Sequence, residues 1–252
     1  SSVLAYLENS AEYFPEKCAV TDEKVSYSYS ELVKLSSSVG TALSELIASG
    51  DAVGIYMEKC ADAVAAFFAT VYAGGFYSVL NTELPQNRLQ TTVSVLNPKV
   101  IVTSESLLET AKEYFSERKI VTFEDLAKSE PDYAKLGEIR SHKIDTDPLY
   151  INFTSGSTGT PKGIVVCHRS VIDFIDHFTE IFGIDNNDVI ANQAPFDFDV
   201  SVKDIYSAVK TGATLVVVPR RMFSAPAELI DFICDRRITV MIWAVSALCL
   251  IS

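Results

Sequence analysis

Two spacings of apolar residues alternate along the chain. Between Leu32 and Ile47 they recur every three or four positions, which predicts a helix, and Ser28 and Glu31 have the spacing of a capping box at its start. Ala52–Met57 is continuously apolar, which predicts a buried strand. By the same reasoning we predict further strands at Cys18–Thr21, Val25–Tyr27, Tyr77–Leu80, Val100–Thr103, Ile120–Thr122, Leu149–Thr154, Ile164–Cys167, Val189–Asn192, Thr214–Val218 and Thr239–Trp243. We predict further helices at Ser1–Phe14, Ala61–Tyr72, Pro85–Leu96, Glu105–Phe115, Ser170–Phe182, Ser201–Lys210 and Pro226–Asp235.

This alternation of strands and helices predicts an α/β fold with mostly parallel sheets and helices on both faces. Residues 128–148 are polar and contain two prolines, so they are the expected connection between a first α/β subdomain, residues 1–145, and a second, residues 146–252. The last 15 residues carry no charge, although chain ends are usually polar. We therefore expect the second subdomain to be truncated and the chain to be the front part of a longer protein.

Charge and composition exclude several classes of function. The chain has 21 basic and 33 acidic residues, a net charge of −12, which disfavours nucleic-acid and membrane-surface binding. An uncharged stretch of 18 residues, 63–80, approaches the length of a membrane span, but Gly74 and Gly75 divide it, which favours a buried helix and strand. The five cysteines are widely spaced and the three histidines have no metal-ligand spacing. We expect a cytoplasmic protein with reduced thiols and no metal site of its own.

The segment 154–163 between two predicted strands has the composition of a phosphate-binding loop. Its glycines let backbone N–H groups approach an anion, its hydroxyls donate to phosphate oxygens, and its lysine adds a positive charge suited to a polyphosphate. The residues concerned are Thr154, Ser155, Gly156, Ser157, Thr158, Gly159, Thr160, Lys162 and Gly163. The order fits neither a Walker A loop nor a nucleophile elbow. The alternative is an ordinary polar hairpin loop.

The decapeptide 154–163 resembles the phosphate loop of the adenylate-forming enzymes, which include acyl-CoA synthetases, firefly luciferase and the adenylation domains of nonribosomal peptide synthetases. Residues 25–32 resemble the early "TYxEL" segment of that superfamily, and residues 72–89 resemble its "KAGAAYVPLDPxxPxxRL" segment. The resemblance implies the front part of the large N-terminal domain of that fold. It also implies ATP and Mg²⁺ as ligands, with the loop holding the β- and γ-phosphates.

A second polar cluster follows the strand Val189–Asn192. If Pro195–Ser201 is extended, its side chains alternate, with one set apolar and the other polar. The apolar set is Phe196, Phe198 and Val200, and the polar set is Asp197, Asp199 and Ser201. Ser201 and Asp204 have the spacing of a helix cap. An aspartate just before a helix and backed by phenylalanines is placed to meet a cation.

Residues 198–204 resemble the "FDxSVxD" motif of the amino-acid-activating branch of the superfamily. The resemblance implies that Asp199 binds the substrate α-ammonium and that Val200 and Lys203 line the pocket for the substrate side chain. A lysine in that pocket favours an acidic or amide side chain. Two alternatives stay open: Asp199 is only a helix N-cap, and Lys203 points to solvent.

The resemblance implies two half-reactions. An amino acid and ATP give an aminoacyl-adenylate and pyrophosphate, and the acyl group then passes to the phosphopantetheine thiol of a carrier protein. The catalytic lysine is expected beyond residue 252, so we expect no catalytic residue and no turnover in this chain alone. The segment around Asp199 is also similar to that of D-alanine:carrier protein ligases, although Lys203 stands where an apolar residue is expected in them. Two more interpretations stay open, namely a generic acyl-CoA ligase and a non-catalytic docking domain.

Overall fold

A computed structural model of the chain describes residues 2–154 and 161–251. Within these residues strands and helices alternate, as predicted. The strands are β1 (Cys18–Thr21), β2 (Ser26–Ser28), β3 (Ala52–Tyr56), β4 (Phe76–Val79), β5 (Val100–Thr103), β6 (Ile120–Thr122), β7 (Pro148–Thr154), β8 (Lys162–Cys167), β9 (Val189–Asn192) and β10 (Thr214–Val217).

The helices connect these strands. They are α1 (Leu4–Tyr13), α2 (Tyr29–Ser44), α3 (Ala61–Tyr72), α4 (Gln86–Leu96), α5 (Leu108–Tyr114), α6 (Phe123–Leu126), α7 (Tyr133–Ser141), α8 (His168–Phe182), α9 (Ser201–Thr211), α10 (Pro226–Asp235) and α11 (Val245–Leu248). Short 3-10 helices lie at Glu105–Leu107 and Arg220–Ser224.

The chain forms two compact units that do not divide at residue 145. The first unit contains Ser1–Leu4, Lys34–Glu58 and Asp62–Ser170, and the second contains Ala5–Val33, Lys59–Ala61 and Val171–Ser252. Strand pairing explains the difference from the expected boundary. Strand β7 pairs with β4 and so joins the first unit, and β1 pairs with β10 and so joins the second. Position along the chain does not report such long-range pairs.

The first unit is built on a sheet with the strand order β6-β5-β3-β4-β7-β8. Its pairs are parallel except the last, because β7 and β8 form an antiparallel hairpin. All residues of β3 and β5 are buried, which explains why their sequences are continuously apolar. One face of the sheet packs against apolar side chains of α4 and α5, among them Leu89, Val93 and Ala111.

The second unit is built on a sheet with the order β2-β1-β10-β9, in which β1, β10 and β9 are parallel. Helix α9 connects β9 to β10 and is buried along most of its length. The hydroxyl of Tyr29 lies 2.8 Å from the Ala208 carbonyl and 2.6 Å from the Ala213 carbonyl, at the end of α9. Because β9 ends at Asn192, the segment Pro195–Val200 lies just after its carboxyl end. This is the usual place for ligand sites in parallel sheets.

Several local predictions are confirmed. The N–H of Ser28 donates to Glu31 Oε2 (2.8 Å) and the N–H of Glu31 donates to Ser28 Oγ (3.2 Å), which is a reciprocal capping box at the start of α2. The uncharged stretch 63–80 forms most of α3 and all of β4. No helix in the described residues is both long enough and apolar enough to cross a lipid bilayer.

Two local predictions are wrong. The expected connection 128–148 contains α7, which begins after Asp132; the carboxylate of Asp132 accepts a hydrogen bond from the Lys135 N–H (3.0 Å). Leu136 is the one buried residue of α7. Because the helix has no apolar face, its sequence shows almost no helical periodicity, and the helix was not predicted. The expected strand 239–243 is reduced to an isolated bridge between Val240 and Ile190, because pairing with β9 does not continue past it.

Candidate active site

The predicted phosphate loop connects the two strands of the β7–β8 hairpin. Thr154 and Lys162 are partners at the last pair of the ladder, and both are exposed. Six predicted phosphate ligands lie outside the described residues: Ser155, Gly156, Ser157, Thr158, Gly159 and Thr160. The structure thus places the first hydroxyl and the lysine of the motif opposite each other, where the chain enters and leaves the loop.

Gly163 has a steric role beside the predicted phosphate-binding role. A Cβ atom at this position would lie 2.5 Å from Ile151 Cδ1 and 3.2 Å from Phe153 Cε1. Gly163 is the ladder partner of Phe153, one pair before Thr154 and Lys162. Glycine therefore lets apolar side chains of β7 lie across β8 at the base of the loop.

The segment Pro195–Val200 is not extended, and the predicted alternation of its side chains is wrong. The N–H of Phe198 donates to the Pro195 carbonyl (3.1 Å), and the N–H of Ser201 donates to the Phe198 carbonyl (3.0 Å), so the backbone forms consecutive turns. As a result Phe196 is buried while Phe198 is 55% exposed. Turns were missed because the aromatic residues in this segment favour strands in sequence-based reasoning.

Asp199 does not cap α9. The residue that flanks the helix is Val200, which makes no side-chain cap, and Ser201 Oγ instead donates to the Phe198 carbonyl (2.8 Å). The predicted cap formed by Ser201 and Asp204 is therefore wrong, and so is the interpretation of Asp199 as a helix cap. The side chain of Asp199 is exposed, between the partly exposed apolar residues Phe198 and Val200. The carboxylate is available to a ligand.

Lys203 does not point to solvent, because only 7% of the residue is exposed. Its Nζ lies 2.8 Å from Asp204 Oδ1, and Asn192 Nδ2 donates to Asp204 Oδ2 (2.9 Å). Burial raises the pKa of Asp204, while the positive charge of Lys203 opposes that rise. A buried lysine and a buried aspartate therefore share a hydrogen-bonded network with Asn192 at the carboxyl end of β9.

Sequence reasoning missed Asn192 and gave Asp204 a different role. Asn192 is the last residue of β9 and is fully buried, although the rest of the strand is apolar. A polar residue that closes an apolar strand, twelve positions before an aspartate, is a weak signal. It gains meaning only when both side chains are seen to lie in contact.

A model of the AMP-binding enzyme family matches residues 7–250, which is nearly the whole chain. The chain belongs to the AMP-binding enzyme family. The resemblance inferred from the phosphate loop and the FDxSVxD-like segment is thereby confirmed at the level of the family.

The curated relatives of this chain include a tyrocidine synthase and a carrier-protein ligase. Tyrocidine synthase 1 from Brevibacillus parabrevis is 27% identical over 95% of this chain and 22% of its own length. The D-alanine–D-alanyl carrier protein ligase from Lacticaseibacillus rhamnosus is 25% identical over 90% of this chain and 44% of its own length. This chain thus spans less than half of either relative.

A solved structure supports the fold of this chain. A four-domain nonribosomal peptide synthetase, holo-AB3403 bound to AMP and glycine, matches 95% of this chain with a TM-score of 0.82 and 22% identity, and 17% of that protein is covered. At this identity the likeness establishes the fold, which is the α/β architecture predicted from the sequence.

His168 joins the start of α8, directly after β8, to the N-terminal segment of the chain. It is the first residue of α8 and is buried, and its Nδ1 accepts a hydrogen bond from the Val3 N–H (3.3 Å). Burial, together with the charge of Lys143, lowers the pKa of His168 to about 4. The imidazole is therefore neutral at pH 7, with its proton on Nε2, which fits structural support of the strand that leaves the loop.

Proposed function

We propose that this chain supplies the phosphate-binding loop and the substrate-ammonium site of an enzyme that activates an amino acid with ATP. Membership of the AMP-binding enzyme family supports the use of ATP. The observation that carries the amino-acid assignment is Asp199. Its carboxylate is exposed, it does not cap α9, and it is flanked by the partly exposed Phe198 and Val200. A substrate without an ammonium group gives a free carboxylate at this position nothing to bind.

The proposed chemistry has two steps. A carboxylate oxygen of the amino acid attacks the α-phosphorus of ATP, the bond from that phosphorus to the bridging oxygen breaks, and pyrophosphate leaves. The thiol of a carrier-protein phosphopantetheine then attacks the acyl carbon of the adenylate, and AMP leaves. Such phosphoryl chemistry depends mostly on positioning and charge stabilisation.

The residues of this chain have positioning roles in the proposal. Thr154, Lys162 and the loop between them hold the β- and γ-phosphates, and Asp199 orients the amino acid. In the described residues no three His, Cys, Asp or Glu side chains group as metal ligands. We therefore treat Mg²⁺ as part of the bound ATP complex and assign it to none of these residues.

The chemical class of the substrate side chain is inferred from Val200 and Lys203, which we propose line its pocket. The ammonium of Lys203 already pairs with Asp204, so a substrate carboxylate or amide that reached it would share it with that aspartate. We propose a substrate with a polar side chain, such as glutamate or glutamine. D-alanine is the alternative supported by the carrier-protein ligase relative.

The test is amino-acid-dependent ATP–pyrophosphate exchange by the full-length enzyme, across a panel that includes glutamate, glutamine and D-alanine. Asp199→Asn keeps the size of the side chain and removes its charge, and we expect kcat/KM for the amino acid to fall about 100-fold with KM for ATP unchanged. Asp197→Asn is the matched control and should have little effect. Exchange with carboxylic acids that lack an amino group, unaltered in Asp199→Asn, would instead support an acyl-CoA ligase, and no exchange with any acid would support a docking domain.

We further propose that the 252-residue chain alone does not turn over. It spans 22% and 44% of the two relatives described above. The resemblance implies that the catalytic lysine lies beyond residue 252. The same exchange assay on the isolated chain tests this proposal. Robust amino-acid-dependent exchange would refute it.

A further inference from the structure

Lys59 is a partly buried cation that the proposed chemistry does not use. Its Nζ donates hydrogen bonds to three backbone carbonyls: Asn192 (3.1 Å), Gln193 (2.9 Å) and Val218 (3.1 Å). A lysine ammonium has three donors and no acceptor, so these bonds use its full capacity. All three acceptors are main-chain atoms, which means that Lys59 holds backbone rather than a partner side chain.

The three carbonyls lie where the second sheet meets the Asp199 segment. Asn192 ends β9, Gln193 begins the connection to α9, and Val218 follows β10, which is the parallel neighbour of β9. Lys59 thus ties the carboxyl ends of two adjacent strands together. The connection that it holds carries the Pro195–Val200 turns, and therefore Asp199.

A second contact reaches further along the same connection. The Nζ of Lys59 lies 5.9 Å from the centre of the buried Phe196 ring, within the range of a cation–π interaction. Lys59 therefore contacts the connection at both Gln193 and Phe196. Only two residues separate Phe196 from Asp199. The Nζ atom of Lys59 therefore holds the start of the segment that carries Asp199.

The backbone next to Lys59 is itself held in place. The N–H of Ala61 donates to Asp22 Oδ2 (2.8 Å), while Asp22 Oδ1 accepts from the N–H groups of Lys24 (2.7 Å) and Val25 (2.9 Å). Asp22 lies in the turn of the β1–β2 hairpin, so the backbone just after Lys59 is anchored to another part of the sheet. A side chain anchored in this way can position a segment instead of following its movements.

We propose that Lys59 is a positioning residue for the substrate ammonium: it fixes the connection between β9 and α9 so that Asp199 is presented at one defined place. The proposal rests on the proposed function. It predicts a defect in amino-acid binding that is separate from ATP binding, because the carbonyls held by Lys59 belong to the Asp199 segment. Misplacement of a binding group by about 1 Å can cost up to 100-fold in rate.

The protonation of Lys59 gives an independent signature. Burial lowers its pKa to about 7, with Asp204 opposing and Lys203 reinforcing the decrease from the side of α9. The ammonium holds all three carbonyls, whereas the neutral amine has two N–H donors and a lone pair that must face a carbonyl oxygen. The charged form is present below pH 7 and is lost as the pH rises through 7. The grip on the segment should weaken in that direction.

The experiment measures exchange kinetics of the full-length enzyme in three variants. Lys59→Met removes the charge but keeps an unbranched apolar chain, and Lys59→Arg keeps a permanent charge. Lys17→Met is the matched control, because Lys17 Nζ also donates to a carbonyl, that of Gly212 (2.6 Å), and lies 5.8 Å from the Phe14 ring, at the opposite end of β10. We expect Lys59→Met to raise KM for the amino acid at least about tenfold with KM for ATP unchanged, and Lys17→Met to change neither.

The pH profile decides the matter if Lys59→Met does not fold. KM for the amino acid in the wild type should rise between pH 6 and pH 8, and this rise should be absent in Lys59→Arg. A wild-type KM that is constant over this range, or a Lys59→Met enzyme with an unchanged KM for the amino acid, overturns the proposal. If KM for the amino acid changes in Asp199→Asn but not in Lys59→Met, only the Lys59 proposal fails. If no amino acid supports exchange, both proposals fail.

Discussion

The hairpin that carries Lys162 and the segment that carries Asp199 are held in different ways. The hairpin is fixed by a ladder between strands that are neighbours in sequence, and Thr154 and Lys162 are exposed where the ladder ends. The Asp199 segment is irregular backbone. It is preceded by Asn192 and Gln193, which are hydrogen-bonded to the charged side chains of Asp204 and Lys59. Lys203 in turn pairs with Asp204. The first region can therefore be recognised from the sequence of residues 154–163 alone. The second depends on Lys59, which lies more than 130 positions upstream of Asn192.

The largest effect should come from breaking the buried network at Lys203. Lys203→Met removes the cation paired with the buried Asp204 and leaves Asn192 as its hydrogen-bond partner, and we expect the free energy of unfolding to fall by about 3 kcal/mol. Urea unfolding of the chain measures this loss. The double variant Lys203→Met/Asp204→Asn removes the unpaired charge and should recover more than half of it. Equal stabilities of the single and double variants would contradict this account.

A large effect of a different kind is expected at the hairpin. Lys162 is exposed at the end of β8, so Lys162→Ala should leave the free energy of unfolding nearly unchanged. It should lower kcat/KM for ATP in the full-length enzyme about 100-fold, because it removes a charge that acts on the phosphates. Lys143→Ala, in the same unit, is the control. A Lys162→Ala enzyme with normal ATP kinetics would remove the hairpin from the site.

A pH effect should distinguish the base of the hairpin from its tip. The pKa of His168 is about 4 in the folded chain and about 6.5 when unfolded, so the unfolded state binds more protons between these values. Stability is therefore lost as the pH falls from 6.5 towards 4, by about 2 kcal/mol at pH 5. His168→Asn retains an acceptor for the Val3 N–H and should remove this part of the pH dependence of unfolding. Parallel pH curves for the two proteins would show that His168 is not responsible.

The smallest effect is expected at the far end of α9. Tyr29→Phe removes the hydroxyl that reaches the Ala208 and Ala213 carbonyls and should lower the free energy of unfolding by about 1 kcal/mol. Because this contact lies at the other end of α9 from Asp199, KM for the amino acid should not change. A change in that KM without a loss of stability would mean that a change at the carboxyl end of α9 alters the position of the Asp199 segment at its other end.

The same comparison explains which features could be predicted from sequence. The capping box of Ser28 and Glu31 and the hairpin strands β7 and β8 were predicted because their residues interact with near neighbours. The unit boundary and the burial of Lys203 were missed because they depend on partners brought together by the fold. For Asp199 the motif predicts a role in substrate binding, but the turns around the residue follow from backbone hydrogen bonds that no side-chain pattern encodes.

The absence of a side-chain cap at the start of α9 has an evolutionary consequence. Helix α9 begins after Val200 with no contribution from the carboxylate of Asp199, so the folding of the helix places little demand on position 199. Exchange of that acid for a neutral residue would cost the chain little stability and would remove the proposed site for a substrate ammonium. Selection for a stable fold alone would let the acid drift away, so its retention in a lineage would record continued use of an ammonium-bearing substrate.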